Sequence, residues 1–295
     1  MACGRTNRLE LAERLSVCRT TLWTRFLPFF NNPVTAGEIN QIFPLVFLNQ
    51  PWVLGLDGTW LHRAGAVMIY RDVKTGTNLW WTFAKSESFQ NLVDDFYRVY
   101  LLTKDHPPSG IVSDWGKGIV ALAKEFFPDL PHQRCLAHLI REVHKLCPAG
   151  SPYVFTLKLR AIIEEVILIT DPADYYAWST KLDEWVKDYG CLLKNRSTNP
   201  ATAKKWWYTH GKLRQAVKLL THNQDTFFKF LYHQFLPKTN NSLEGVNSQL
   251  KRKLGDHRGM VVSQQVTFCF WALTFSRVKT PADLKKLWDC WRKRQ

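Results

Sequence analysis

Apolar residues at Leu11, Leu15, Leu22 and Phe26 recur at helical intervals along "LELAERLSVCRTTLWTRF", and Ser16-Val17-Cys18 reads as a turn between two short helices. "PFFNNPV" follows as a linker. From Trp52 the period changes. "WVLGLDGTWL" is apolar and β-rich, and "AVMIYRDVKTGTNLWWTFA" forms two strand-like runs around the turn residues Lys74-Thr75-Gly76-Thr77. Phe89, Leu92, Val93, Phe96, Val99 and Tyr100 then share a helix face. "GIVSD" reads as a short buried strand and "GKGIVALAKEFF" as a helix. "HQRCL" is one more short strand, and "AHLIREVHKL" another helix. Residues 150–236 read as all-helical, with Asp171-Pro172 and Asn199-Pro200 as cap-plus-proline starts. Between those starts Trp178, Leu182, Trp185, Val186 and Tyr189 line one face, which Gly190 ends. The last strongly amphipathic stretch is "NSLEGVNSQLKRKLGDHRGM", Asn241 to Met260, with Asn241 or Ser242 as its cap.

The order is three strands, helix, strand, helix, strand, helix, then a helical block and one more amphipathic helix. That predicts an α/β fold: a ribonuclease H-like mixed sheet flanked by helices and interrupted by an all-helical insertion. The corresponding divisions are a helix-turn-helix-like segment at 1–30, the first part of the core at 49–148 and the insertion at 149–236. The last part of the core follows at 237–276, and a basic tail at 277–295.

Composition narrows the partners. A formal net charge of +15 and a pI of about 9.6 favour a polyanion, most simply nucleic acid. In that light Arg19, Thr20, Thr21 and Arg25 stand where a helix-turn-helix would meet a DNA groove, although an ordinary helical hairpin fits the same pattern. Seven cysteines without a C-x-x-C pair argue against a disulfide framework. No apolar run is long enough to span a bilayer, and "MACGRTNRLELAER" is too polar for a signal peptide. The expectation is a cytoplasmic, nucleoid-associated protein with no membrane partner.

Three carboxylates stand where metal chemistry would need them. Asp57 is mid-strand among apolar residues, where a bare charge is costly unless it is paired, metal-bound or on the solvent face. Asp114 ends a strand before a glycine-bounded helix, a usual place for α/β sites, and is equally suited to cap that helix. Glu244 opens the amphipathic helix, where the dipole favours an acid and a capping box would use one. Its helical face continues through Asn247, Ser248, Lys251 and Arg252, with Lys253, His257 and Arg258 beyond. An acid followed by cations suits a metal ligand beside a phosphate backbone. Three acids on separate elements can hold two Mg²⁺ about 4 Å apart for in-line phosphoryl transfer, with Mn²⁺ as a substitute. Asp72, Asp94, Asp95 and Asp129 compete for these roles on sequence alone.

"GLDGTWL", "GIVSDWGKGIVALAKEFFPDLPHQRCLAHLIREV" and "TNNSLEGVNSQLKRKLGDHRGM" together resemble the Mutator-type DDE transposases of bacterial insertion sequences, over roughly Trp52 to Phe275. The resemblance implies a ribonuclease H-like core, Asp57, Asp114 and Glu244 as the catalytic triad, and Mg²⁺ in use. It implies DNA at transposon ends and at the target as partners, and action as a homo-oligomer on DNA. Cys135 and His138 occupy the family's Cys-x-x-His positions, near the active site in a supporting role with Asn241. Relatives of this kind often begin with a zinc-ribbon-like segment. Here only "MACG" precedes the first helices, which reads as a short subtype or a truncated gene.

Cys135 and His138, with His132 and His144 nearby, make a weak zinc reading, because a lone C-x-x-H lacks a second pair. Thirteen Trp include Trp178, Trp206 and Trp207 in the insertion, which serve packing first and base stacking second. "KKLWDCWRKRQ" reads as a solvated basic helix face. The functional expectation is a transposase that cleaves DNA at element ends and joins the freed 3′-hydroxyl to target DNA. The rivals are a ribonuclease H-like nuclease without strand transfer and a truncated or domesticated DNA-binding protein.

Overall fold

The computed structural model describes residues 8–47, 51–199, 206–256 and 259–294. The chain divides into two compact units, Met1–Leu130 with Asn240–Gln295, and Pro131–Thr239.

The first unit opens with α1 (Arg8–Arg14), α2 (Arg19–Asn31) and α3 (Ala36–Ile42). The turn before α2 ends at Cys18, whose sulfur accepts the Thr21 N–H as a helix cap. Helix α2 continues through Pro28 to Asn31, so most of the expected linker is helical. The cause is tertiary: Phe29 stacks on Trp291 at 4.2 Å and meets Trp271 and Trp288 edge-on. Helix α3 starts with a reciprocal capping box between Thr35 and Glu38.

The sheet follows as expected. β1 (Val53–Trp60), β2 (Ala66–Asp72) and β3 (Thr77–Ala84) form an antiparallel meander in which Trp60 pairs with Ala66 and Ala66 with Ala84. Asp72 closes the β2–β3 turn by accepting from Lys74 N and Thr75 Oγ1, and Gly76 takes the left-handed backbone there at φ 72°. After α4 (Phe89–Thr103), β4 (Gly110–Ser113) pairs parallel to β1, and α5 (Lys117–Phe126) follows. The order in this unit is β3-β2-β1-β4. One sheet face packs Leu54, Leu56, Met68 and Tyr70 against Leu92, Phe96, Ile119 and Leu122 of α4 and α5.

The second unit holds a short strand β5 (His132–Arg134), then α6 (Leu136–Leu146), α7 (Val154–Glu165) and α8 (Pro172–Tyr189). Helix α8 begins as the sequence predicts, with Asp171 accepting the Asp174 N–H and proline in the first turn. Its buried face is Trp178, Leu182 and Trp185. The unit is not all-helical. β6 (Arg196–Ser197) and β7 (Trp207–Tyr208) pair antiparallel before α9 (Gly211–Thr221). Arg196 stacks over Trp206 at 4.2 Å and Arg214 over Tyr208 at 4.3 Å, contacts that hold the ribbon and that no helical period reveals. Asn199 is not helical, and Pro200 lies outside the described residues.

The chain re-enters the first unit with α10 (Asn241–Asp256), α11 (Val262–Ser276) and α12 (Pro281–Arg292). These cover the other sheet face, with Leu243, Leu250, Cys269 and Trp271 against Val67, Ile69 and Trp81. The C-terminal helix, expected to be solvated, is instead docked. Thr280 and Asp283 cap α12, Leu287 and Trp291 are buried, and Trp291 Nε1 donates to Asn32 O at 3.0 Å. The architecture is a mixed α/β sheet flanked by helices, compatible with a ribonuclease H-like fold.

Candidate active site

β1, β3 and β4 run in one direction, so their C-terminal ends share one edge of the sheet. Asp57 lies near the end of β1 with only 9% of its surface exposed. Every β1 residue up to Thr59 is buried, so no solvent face exists for a strand aspartate to occupy. Gly58 N donates to Asp57 Oδ1 at 2.8 Å.

Asp114 follows β4 and does not cap α5, because Gly116 holds the cap position. Instead Asp114 Oδ1 accepts the Gly116 N–H at 3.0 Å. Trp115 between them takes φ 73°, a conformation costly for a bulky side chain, and its N–H is held by Ser113 Oγ.

The same edge carries an acid that the sequence analysis did not single out. Glu87 sits in the turn after β3, and its Oε1 accepts from Trp60 Nε1 at 3.1 Å. A methyl group placed on Gly58 would meet Glu87 Oε1 at 3.0 Å. One placed on Gly116 would meet Glu87 Oε2 at 3.4 Å and Asp114 Oδ1 at 3.5 Å. Glu87 is therefore wedged between the Asp57 and Asp114 loops. Burial first, then the charges of Asp114 and Asp57, push its carboxyl up to about 7, against the Trp60 hydrogen bond. "KSESF" has no period that would mark it; the available signal is topological, an acid just past the C-terminal end of a strand parallel to β1. The competing acids are accounted for elsewhere: Asp72 in its turn, Asp95 accepting from Trp80 Nε1, and Asp94 and Asp129 exposed.

Glu244 is brought to this edge by α10. The helix begins at Asn241, and Asn240, not Asn241 or Ser242, precedes it with its carbonyl accepting the Glu244 N–H. Asn240 Nδ2 donates to Leu56 O at 3.0 Å, and Thr59 Oγ1 donates to Asn247 Oδ1 at 2.6 Å. Asn240, just before the helix, and Asn247, three residues after Glu244, flank it in sequence. They grip β1 on either side of Asp57, so Glu244 is carried at the level of Asp57. Arg71 Nε donates to Ser242 Oγ at 2.8 Å, a third tie between α10 and the sheet. Gly55 permits the approach, since a methyl group there would lie 2.9 Å from Asn240 Oδ1 and 3.1 Å from Leu243 Cδ1. Asn241 itself is exposed.

Further along α10, Lys251 and Arg252 are exposed and Lys253 is half-buried. Lys251 lines a cleft of about 460 Å³ with Trp60, His62, Gly255 and Gln265. Trp60 thus borders both the cleft and Glu87. His257 and Arg258 lie outside the described residues. On α2, Arg19, Thr20, Thr21 and Arg25 are all exposed. Cys135 and His138 lie in the second unit, Cys135 buried just before α6 and His138 in its first turn. His144, a partner in the zinc reading, is engaged instead by Glu164 at 3.2 Å and Arg160 at 3.1 Å. None of the six described cysteines is in a disulfide.

Asp57, Asp114 and Glu87 offer carboxylate oxygens, the hard, anionic donor type that suits Mg²⁺ or Mn²⁺. The groups that act on Glu87 are its own burial, the two aspartates and a neutral indole, with no cation among them. Among the described residues no helix is long and apolar enough to cross a membrane.

No curated protein matches the chain. The family model described as "Transposase IS66 family" matches residues 92–248, a span that holds Asp114, Glu244 and the whole second unit and begins after Asp57 and Glu87. This agrees with the sequence resemblance on a transposase and does not carry the Mutator type specifically. With more than half of its length matched, the chain belongs to the IS66 family of transposases.

Proposed function

We propose that this transposase cleaves DNA strands at the ends of its element and joins them to target DNA, with Asp57, Asp114 and Glu244 as its catalytic carboxylates. The observation that carries the reading is the pair of asparagine ties, Asn240 to Leu56 and Asn247 to Thr59, which hold Glu244 beside the level of Asp57. These residues suit Mg²⁺, which when bound would supply an activated hydroxyl and charge stabilisation for the leaving 3′-oxygen. Asp57 and Asp114 are each oriented by a backbone N–H. Lys251 in the cleft, with Arg252 and Lys253, would bind the phosphates of the strand presented to the acids. Arg19 and Arg25 on α2 are suited to contact DNA away from the cut. A dimer or larger assembly on DNA would bring two ends together.

Glu244→Gln tests this on a labelled element end taken from DNA flanking the gene. The exchange keeps the shape and removes the charge. Folding should change little, and DNA binding should persist or tighten. Cleavage in Mg²⁺ should fall by at least about two orders of magnitude. Retained cleavage would remove Glu244 from the active site. Pre-cut ends assayed with the parent protein separate the enzymatic readings, because a nuclease alone yields no joined product.

A further inference from the structure

We propose that Glu87 is a fourth carboxylate ligand of the cation site formed by Asp57 and Asp114. The inference rests on reading those two aspartates as cation ligands. A glutamate in a turn normally extends into water, since a long acid loses hydration by folding inward. Glu87 instead turns into the gap between two other acids. Its Oε1 faces Gly58 and its Oε2 faces Gly116 beside Asp114 Oδ1.

The backbone is built for that placement. A methyl group on Gly118 would lie 2.0 Å from Glu87 O and 2.8 Å from Phe89 N, so the start of α5 presses directly on the turn. Ser86 Oγ donates to Ser88 Oγ at 3.1 Å, and Asn91 Nδ2 to Ser86 Oγ at 2.7 Å, which ties the turn to α4. Glycines also follow both aspartates, at Gly58 and Gly116, and leave the space that the Glu87 carboxylate enters. That carboxylate accepts a hydrogen bond from the Trp60 indole, a neutral donor. Three carboxylates on one sheet edge repel one another, and a divalent cation between them removes the repulsion. The site then has three ligands from the β1, β3 and β4 ends, with Glu244 supplied by α10.

Chelator-stripped full-length protein, titrated with Mn²⁺ alone, tests the assignment through metal affinity and thermal melting. Glu87→Gln should weaken Mn²⁺ binding about ten-fold or more. It should raise the melting temperature of the metal-free protein, because one repulsive charge is gone, and shrink the rise caused by Mn²⁺. Asp57→Asn run in parallel separates the two levels of the argument. Weakened binding in Asp57→Asn with parent-like binding in Glu87→Gln overturns the role of Glu87 and leaves the cation site standing. Parent-like binding in both variants overturns the cation site and the proposed function with it. A lower metal-free melting temperature with unchanged Mn²⁺ affinity marks Glu87 as a structural strut and also overturns the proposal. Should Glu87→Gln not fold, Glu87→Asp keeps the charge but withdraws it by one methylene. The same loss of Mn²⁺ affinity is then expected, and parent-like affinity overturns the assignment.

Discussion

Each acid at the sheet edge is held differently, and the differences follow from its immediate neighbours. Asp57 is enclosed by a strand buried on both faces. Asp114 is braced by a left-handed Trp115. Glu87 is wedged against two glycines. The cations beyond them are, by contrast, free to reach. Lys251 and Arg252 are exposed on the last turns of α10, and Lys251 borders the cleft that begins at Trp60. Replacing both with Ala should weaken DNA binding on all sequences alike and lower the slope of log affinity against log salt by about two. Affinity measured at several salt concentrations reads this directly, and an unchanged slope would mean that the two side chains face solvent in the complex.

At the scale of elements, the proposed function depends on how α10 docks on the sheet. Leu243 and Leu250 give it burial, but apolar contacts tolerate sliding along a helix axis. Register comes from the polar ties at Asn240, Ser242 and Asn247. Asn247→Ala leaves the buried Thr59 hydroxyl without its partner and should cost about 1–3 kcal/mol in a urea melt. Cleavage should fall by more than that stability loss accounts for, since Glu244 loses the tie one turn away. Asn247→Ala combined with Thr59→Val should recover stability, because both partners become apolar, without recovering cleavage.

In the first unit, the N-terminal helices, the meander and the last three helices are joined by long-range ties. Arg277, at the end of α11, donates to Asn40 Oδ1, Asn78 O and Phe43 O, linking α3 and β3 to the C-terminal part. Burial lowers its guanidinium below the usual arginine range, yet three oxygens keep the charge worthwhile. Arg277→Ala should destabilise the unit by about 2–4 kcal/mol, read by chemical denaturation, since three partners lose a charged donor at once. Phe29, Trp271, Trp288 and Trp291 make a second tie of the same kind in rings, binding α2 to α11 and α12. Three of the thirteen tryptophans serve this tie.

The alternation and helical spacing of apolar residues were enough to determine the three-strand meander, α4, β4, α5, α6 and α8, because each is stabilised mainly by one face that the local pattern writes out. Asp57, Asp114 and Glu244, the carboxylates of the proposed function, stand out in the sequence for a related reason: each is an acid at a position where its own element makes an acid costly or purposeful. The tertiary structure alone decided the rest. Residues 28–31 are helical because Phe29 finds three tryptophans from the far end of the chain. The C-terminal helix Pro281–Arg292 is packed rather than solvated because Leu287 and Trp291 reach the core beside α2 and α3. The β6–β7 ribbon is accompanied by arginine–aromatic stacking that no helical or strand period records. Glu87 has no local signature, because its significance lies in the strand directions that bring the ends of β1, β3 and β4 to one edge. Periodicity records which face of an element is buried; it carries no information about which elements end side by side.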